Sequence, residues 1–205
     1  MNGSVSRRGL LAGGAALALA GFVSEAKAAA ATPDPLVGAV SEVEVLARLV
    51  TIEQSVVFGY RHVLGSVHLS AGTASALKRF LGQELEHVRV LSSELLRRGG
   101  KVPAPPATVA AVDRVLASLA VSGKLEQPRR EWEAIRFLIP VETAEEQSYH
   151  AAILRFQSPA LALLAARSVT CDAQHWTVLS ELANAGDVDR AVPRAFVPLA
   201  AELSA

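Results

Sequence analysis

The chain has one cysteine, Cys171, among 205 residues. A single thiol excludes an internal disulfide, so stability must come from a packed core or from a bound metal. Aromatic residues are scarce, at 5%, which speaks against a β-sandwich core and for helices packed through Ala, Leu and Val. An excess of either charge is missing too, with 20 basic residues against 20 acidic ones. That balance leaves no electrostatic footprint for nucleic acid. There is no low-complexity segment, and no Ser-His or Cys-His constellation suited to nucleophilic catalysis. The length fits one domain, or one domain behind an export signal.

Residues 1–28 read as that signal. Ser6-Arg7-Arg8-Gly9-Leu10-Leu11 resembles a twin-arginine signature, with Leu10 where Phe is common. An apolar stretch from Leu10 to about Val23 follows, then Ala26-Lys27-Ala28, which fits an A-x-A cleavage site. The stretch is short for a membrane span and rich in Ala and Gly, so cleavage is expected rather than an anchor. The resemblance implies the twin-arginine export machinery as a partner, no stable membrane span after cleavage, and a destination in the periplasm or outside the cell. Residues 29–40, with Pro33 and Pro35, form a linker.

Four long amphipathic helices are expected over residues 41–186. The first begins at Ser41, an N-cap with Glu44 three residues on. Its stripe of Leu46, Leu49, Val50, Val57, Leu64 and Val67 has Glu53 at its centre and Tyr60 beside it. Gly72-Thr73 reads as a turn, and a second helix from about Thr73 to Arg98 stops at Gly99-Gly100. Its stripe, Leu77, Phe80, Leu81, Val88, Leu91 and Leu95, centres on Glu84, with His87 at the edge. Residues 101–127 open with Pro103, Pro105 and Pro106 and carry a short helix, about Thr108 to Val121. That is long for a hairpin loop and suits a crossover between the second and third helices. The third helix spans about Pro128 to Phe156, with Pro140 expected to kink it before Glu142. Pro159 opens the fourth, which ends near Asn184-Ala185-Gly186. Residues 187–205 form a C-terminal packing tail.

Ile135, Leu138, Ile139, Ile153 and Phe156 form the third stripe, with Glu142 and Tyr149 inside it, and Leu161, Ala165, Val169, Trp176, Leu179 and Ala183 flank Asp172 in the fourth, so each of the four stripes has a carboxylate inside it. Glu84 and His87 form a Glu-x-x-His pair, and on a helix residues three apart share one face. Asp172 and His175 repeat the pair with a shorter acid. Glu53 and Tyr60, like Glu142 and Tyr149, stand seven apart, and 34 positions separate Glu53 from His87 against 33 between Glu142 and His175. The chain therefore reads as two weakly similar halves. Four carboxylates in one apolar interior would repel each other and resist desolvation. Two divalent cations would balance them, with His87 and His175 as neutral nitrogen ligands.

This arrangement resembles the ferritin-like superfamily, in its exported members, over about Ser41 to Ala185. The resemblance implies an all-α, ferritin-like four-helix bundle holding two metal ions, iron or else manganese. Glu53 and Glu142 would be terminal ligands, Glu84 and Asp172 bridging ligands, and His87 and His175 one nitrogen ligand for each metal. Tyr60 and Tyr149 would hold ligating carboxylates through their hydroxyls. The implied chemistry is of an oxidoreductase or ferroxidase type, with oxygen or peroxide as the small oxidant; assembly into an oligomer is compatible with it. Asp172 departs from the family's usual Glu, which puts its bridging reach in question. Glu146 or Glu145 could compensate as an extra ligand, or both could form a solvated edge.

A second reading is a metal-free ferritin-like module of the cell envelope, structural or binding in role, with Arg48, Arg61 or Arg89 pairing the buried acids. Plain core packing is open for Tyr60 and Tyr149 as well. His62, His68 and His150 read as surface or boundary residues, and Trp132 and Trp176 as packing residues; Cys171, next to Asp172, could be a soft ligand, but a small buried hydrophobe is the better reading.

Overall fold

The computed structural model describes residues 40–192, and the protein over that range is all-α. The expected export signal, nearly all of the expected linker, and the part of the expected tail beyond Val192 lie outside the described residues. Six helices follow in order: α1 (Glu42–Ser66), α2 (Ala71–Arg97), α3 (Val109–Ser118), α4 (Glu131–Ile153), α5 (Pro159–Ala183) and α6 (Val188–Ala191). No strand occurs among the described residues, and no helix there is long and apolar enough to cross a membrane.

Local chemistry sets the boundaries. At the start of α1, the Ser41 hydroxyl accepts from Glu44 N and the Glu44 carboxylate accepts from Ser41 N at 2.8 Å, a reciprocal cap. Gly72 and Thr73 do not form a turn; they lie in the first turn of α2. Ser70 is the N-cap, and Glu131 of α4 accepts from Ser70 N at 2.7 Å and from the hydroxyls of Ser70 and Thr73. That long-range anchor places the helix start earlier than local propensity does. α2 ends where Gly99 turns to a φ of 75°, and Gly100 N returns to Leu95 O at 3.0 Å. α4 starts at Glu131, three residues later than expected, because Glu133 reaches back to accept from Arg129 N and Arg130 N. Its helical run continues through Pro140. Pro159 opens α5 as expected.

α1 lies along α2 and α4 along α5; α1 also packs on α4 and α2 on α5, while α3 covers α1 and α6 packs on α5. Two apolar clusters form inside. One contains Val45, Leu46, Leu49, Val50, Leu91, Leu95, Tyr149, Ala152, Leu161 and Ala165. The other contains Val56, Tyr60, Val63, Leu77, Phe80, Leu138, Val141, Ala144 and Leu179. In each of the four long helices the chain passes from one cluster to the other. The acid of the stripe, or its acid–imidazole pair, falls at or beside the crossing. Burial of these side chains, at about 25 cal/mol per Å² of apolar surface, is what holds a polar layer in the interior.

Trp132 departs from its expected packing role. It is 52% exposed, with the Arg136 guanidinium 5.7 Å from its ring centre.

Candidate metal centre

The four helices bring all six predicted ligands to one layer. Glu53, Glu84, Glu142, Asp172 and His175 are at most 1% exposed, while His87 is 12% exposed. His87 Nδ1 lies 3.1 Å from Glu84 Oε2, 3.5 Å from Glu53 Oε1 and 3.6 Å from Asp172 Oδ1. His175 Nδ1 lies 2.8 Å from Glu84 Oε1 and 3.4 Å from Glu142 Oε2. Glu84 therefore turns one oxygen to each imidazole. Donor atoms fall into groups within 4.8 Å of one another: Glu53, Glu84 and His87; Glu84, Glu142, Asp172 and His175; and His87, Cys171 and Asp172. These groups can hold metal ions. Asp172 belongs with both imidazoles, so its missing methylene does not keep it from either side.

The tyrosines are exchanged between the halves. Tyr60 of α1 donates its hydroxyl to Glu142 of α4, and Tyr149 of α4 donates to Glu53 of α1. Each bond fixes Oε1 of its acid: Glu142 keeps its other oxygen, Oε2, 3.4 Å from His175 Nδ1, whereas in Glu53 the bonded Oε1 is itself the oxygen 3.5 Å from His87 Nδ1. Among the described residues, Glu53 Oε2, Glu84 Oε1, Glu142 Oε2, both Asp172 oxygens and His175 Nδ1 are buried with no hydrogen-bond partner. Glu84 Oε1 and His175 Nδ1 are 2.8 Å apart yet lack hydrogen-bond geometry. A hydrogen bond to a charged group contributes roughly 1.5–3 kcal/mol, while a buried ion costs several kcal/mol. The tyrosines alone cannot offset this layer. Buried oxygens left without partners beside unbonded imidazole nitrogen are the donor set a hard or borderline divalent cation takes.

Protons do part of that work in the metal-free chain. Burial pushes Glu53 up to about 8, with the Glu84 charge adding to it. Glu142 and Asp172 are raised as well, by burial first and by neighbouring carboxylates next. Burial would raise Glu84 too, but its contacts with His175 and His87 outweigh that and hold it at about 2. Burial would lower both imidazoles; contacts with Cys171 and the acids reverse this, lifting His175 to about 12 and His87 far above the usual imidazole range.

Glu145 and Glu146 do not form a solvated edge: they are 1% and 2% exposed. α4 packs against both α1 and α5, so its enclosed arc is wider than one apolar stripe. Both Glu145 oxygens lack partners among the described residues, and burial holds this carboxyl well above its ordinary range. Burial likewise lifts Glu146, to about 7, with the Glu142 charge adding. Neither joins the three donor groups. The arginines do not supply the pairing either. Arg89 bonds Glu86 on the surface, Arg48 and Arg61 are exposed, and the ion pairs described for the buried ligand acids come from His87 and His175.

Three neighbours carry no motif of their own. Phe80 stacks on His175 at 4.3 Å between ring centres. Gln83 Oε1 lies 2.9 Å from His175 Nε2 and can accept from it, which leaves Nδ1 free for a ligand role. Cys171 is half-buried rather than sealed in the core, with Sγ 3.6 Å from His175 Nε2. Contact with His175 first, then His87, holds its thiol down to about 7. The signal for all three was positional: Phe80 and Gln83 precede the Glu84 pair by the same steps by which Ser168 and Cys171 precede the Asp172 pair.

No family model matches the chain, and no curated protein matches it. Among solved structures, the chain is similar to a conserved hypothetical protein from Mycobacterium tuberculosis, with 15% identity and a TM-score of 0.57 over 69% of this chain and 96% of that one. At that identity the likeness speaks for the fold alone.

Proposed function

We propose that the protein is an exported, ferritin-like di-metal protein. α1, α2, α4 and α5 then form the four-helix bundle, and the segment carrying α3 is its crossover. Glu53 and His87 serve one ion and Glu142 and His175 the other, with Glu84 and Asp172 shared between them. The observation that supports this most is Glu84, one oxygen toward each imidazole, with Asp172 grouped with both. Bound iron, or manganese in its place, would supply redox chemistry with oxygen or peroxide as oxidant. The chain's own residues orient and exclude. Tyr60 and Tyr149 hold Glu142 and Glu53 in position, Gln83 fixes the His175 tautomer, and the two apolar clusters keep bulk water out.

Elemental analysis of the protein exported by its own signal tests the reading. Two equivalents of iron or manganese for each chain are expected, and metal-free protein of unchanged stability would refute it. One observation favours the second reading, a metal-free envelope module: each imidazole already lies beside carboxylates, so protons can neutralise the layer without a metal. The same assay separates the two.

A further inference from the structure

The two imidazoles are not equally enclosed. Phe80 and Gln83 cover His175. In the second half their places are taken by Ser168 and Cys171. A cavity of about 280 Å³ lies beside His87 and is lined by Glu86, His87, Val90, Leu164, Arg167 and Ser168. Cys171 Sγ, a His87 nitrogen and an Asp172 oxygen lie within 4.8 Å of one another, and Cys171 Sγ also lies 3.6 Å from His175 Nε2, the nitrogen that faces Gln83 rather than the acids. Asp172 is fully buried, and among the described residues neither of its oxygens has a partner.

We propose that Cys171 is a thiolate ligand of the ion held at His87. The inference rests on the two-ion reading above. It makes the centre asymmetric: one ion takes carboxylate and imidazole only, and the other takes carboxylate, imidazole and sulfur. Ligation forms a metal–sulfur bond and releases the thiol proton to solvent. A thiolate shifts that position toward softer ions, so iron, cobalt or zinc is retained there against manganese. Cys171 is the chain's single cysteine, so any thiolate signal is unambiguous.

The test uses the purified full chain titrated with Co(II) under anaerobic conditions. The expected result is two bound equivalents, one of which brings a sulfur-to-cobalt charge-transfer band in the near ultraviolet. Saturation should also protect Cys171 from alkylation at least ~10-fold, a readout that needs no variant. Cys171→Ser should keep two equivalents, lose the band, and hold manganese better than the parent does. Two equivalents with no band and an unprotected thiol would overturn the thiolate ligand and leave the two-ion centre standing. That outcome would make Cys171 an outer neighbour of His87, as Gln83 is of His175. Failure to bind cobalt at all would overturn both.

Discussion

The α1–α2 half and the α4–α5 half solve the same problem with different neighbours. Each contributes an acid from its first helix, an acid–imidazole pair from its second, and a tyrosine that crosses to the other half's acid. The carboxylate layer is nearly symmetric because its electrostatics demand it: every acid needs a counter-charge, and every terminal acid needs a bond to hold it. The surroundings carry no such demand. Phe80 and Gln83 close His175 to 1% exposure, whereas Ser168 and Cys171 leave His87 at 12%. The shared acids make this a metal centre candidate, and the unshared neighbours decide from which side it can be reached.

The largest effect should come from the ligands that join the halves. Glu84→Ala removes the ligand proposed to serve both ions and is expected to weaken both bound equivalents by more than ~100-fold, above the ~10–100-fold that loss of an outer hydrogen-bond partner costs. Glu53→Ala should weaken one equivalent and leave the other. Isothermal titration on the two variants checks this, and identical losses would break the assignment of Glu84 as shared and Glu53 as terminal. Tyr60→Phe and Tyr149→Phe come next. Each should lower affinity by about 10–100-fold at one ion, by similar amounts, since each frees one terminal acid. Unequal losses would show that the symmetry of the tyrosines is only geometric.

Acidity separates the metal-free from the loaded protein. Glu53 and Glu146 have folded pKa values of about 8 and about 7 against 4.5 unfolded, and the imidazoles are raised as well. Between those limits the folded chain binds more protons than the unfolded one, so stability falls as pH rises. The metal-free protein should lose about 5 °C or more of Tm between pH 5 and pH 8. Glu84 acts in the opposite sense: its stabilisation is present above 4.5 and is lost as pH falls toward about 2. Metal ligation displaces the same protons, so affinity for the ion should rise over the interval in which the metal-free chain weakens. A metal-free Tm that holds level from pH 5 to pH 8 would contradict the proton-neutralised layer.

The smallest effect tests the open side. Ser168→Phe copies the Phe80 position and should slow metal loading several-fold, read by stopped-flow, with the number of equivalents unchanged. An unaltered loading rate would mean that ions do not approach along the cavity beside His87.

The positions of the chemistry were legible in the sequence because they follow one-dimensional rules. Ser41 and Glu44 announce a cap, and a stripe with Glu53 or Glu84 at its centre announces a buried acid. The repeat of an acid three residues before a His announces two equivalent faces. What could not be read depends on contacts between halves. A helical projection gives the angle of Glu145 and Glu146 but not how far α1 and α5 wrap around α4, so their burial was hidden. Gly72-Thr73 looked like a turn because nothing local reveals that Glu131, some sixty residues on, caps α2. Phe80, Gln83, Ser168 and Cys171 fall outside any motif, and their roles emerge only once each is seen against the opposite imidazole.

The account's central claim is that this interior is acidic because cations neutralise it. Anaerobic titration of the metal-free full chain with Fe(II), following bound iron and released protons together, tests that claim most directly. The account predicts two equivalents bound for each chain, with protons released as the raised carboxyls and imidazoles become ligands. A chain that stays helical by circular dichroism, binds no iron and releases no protons would contradict it.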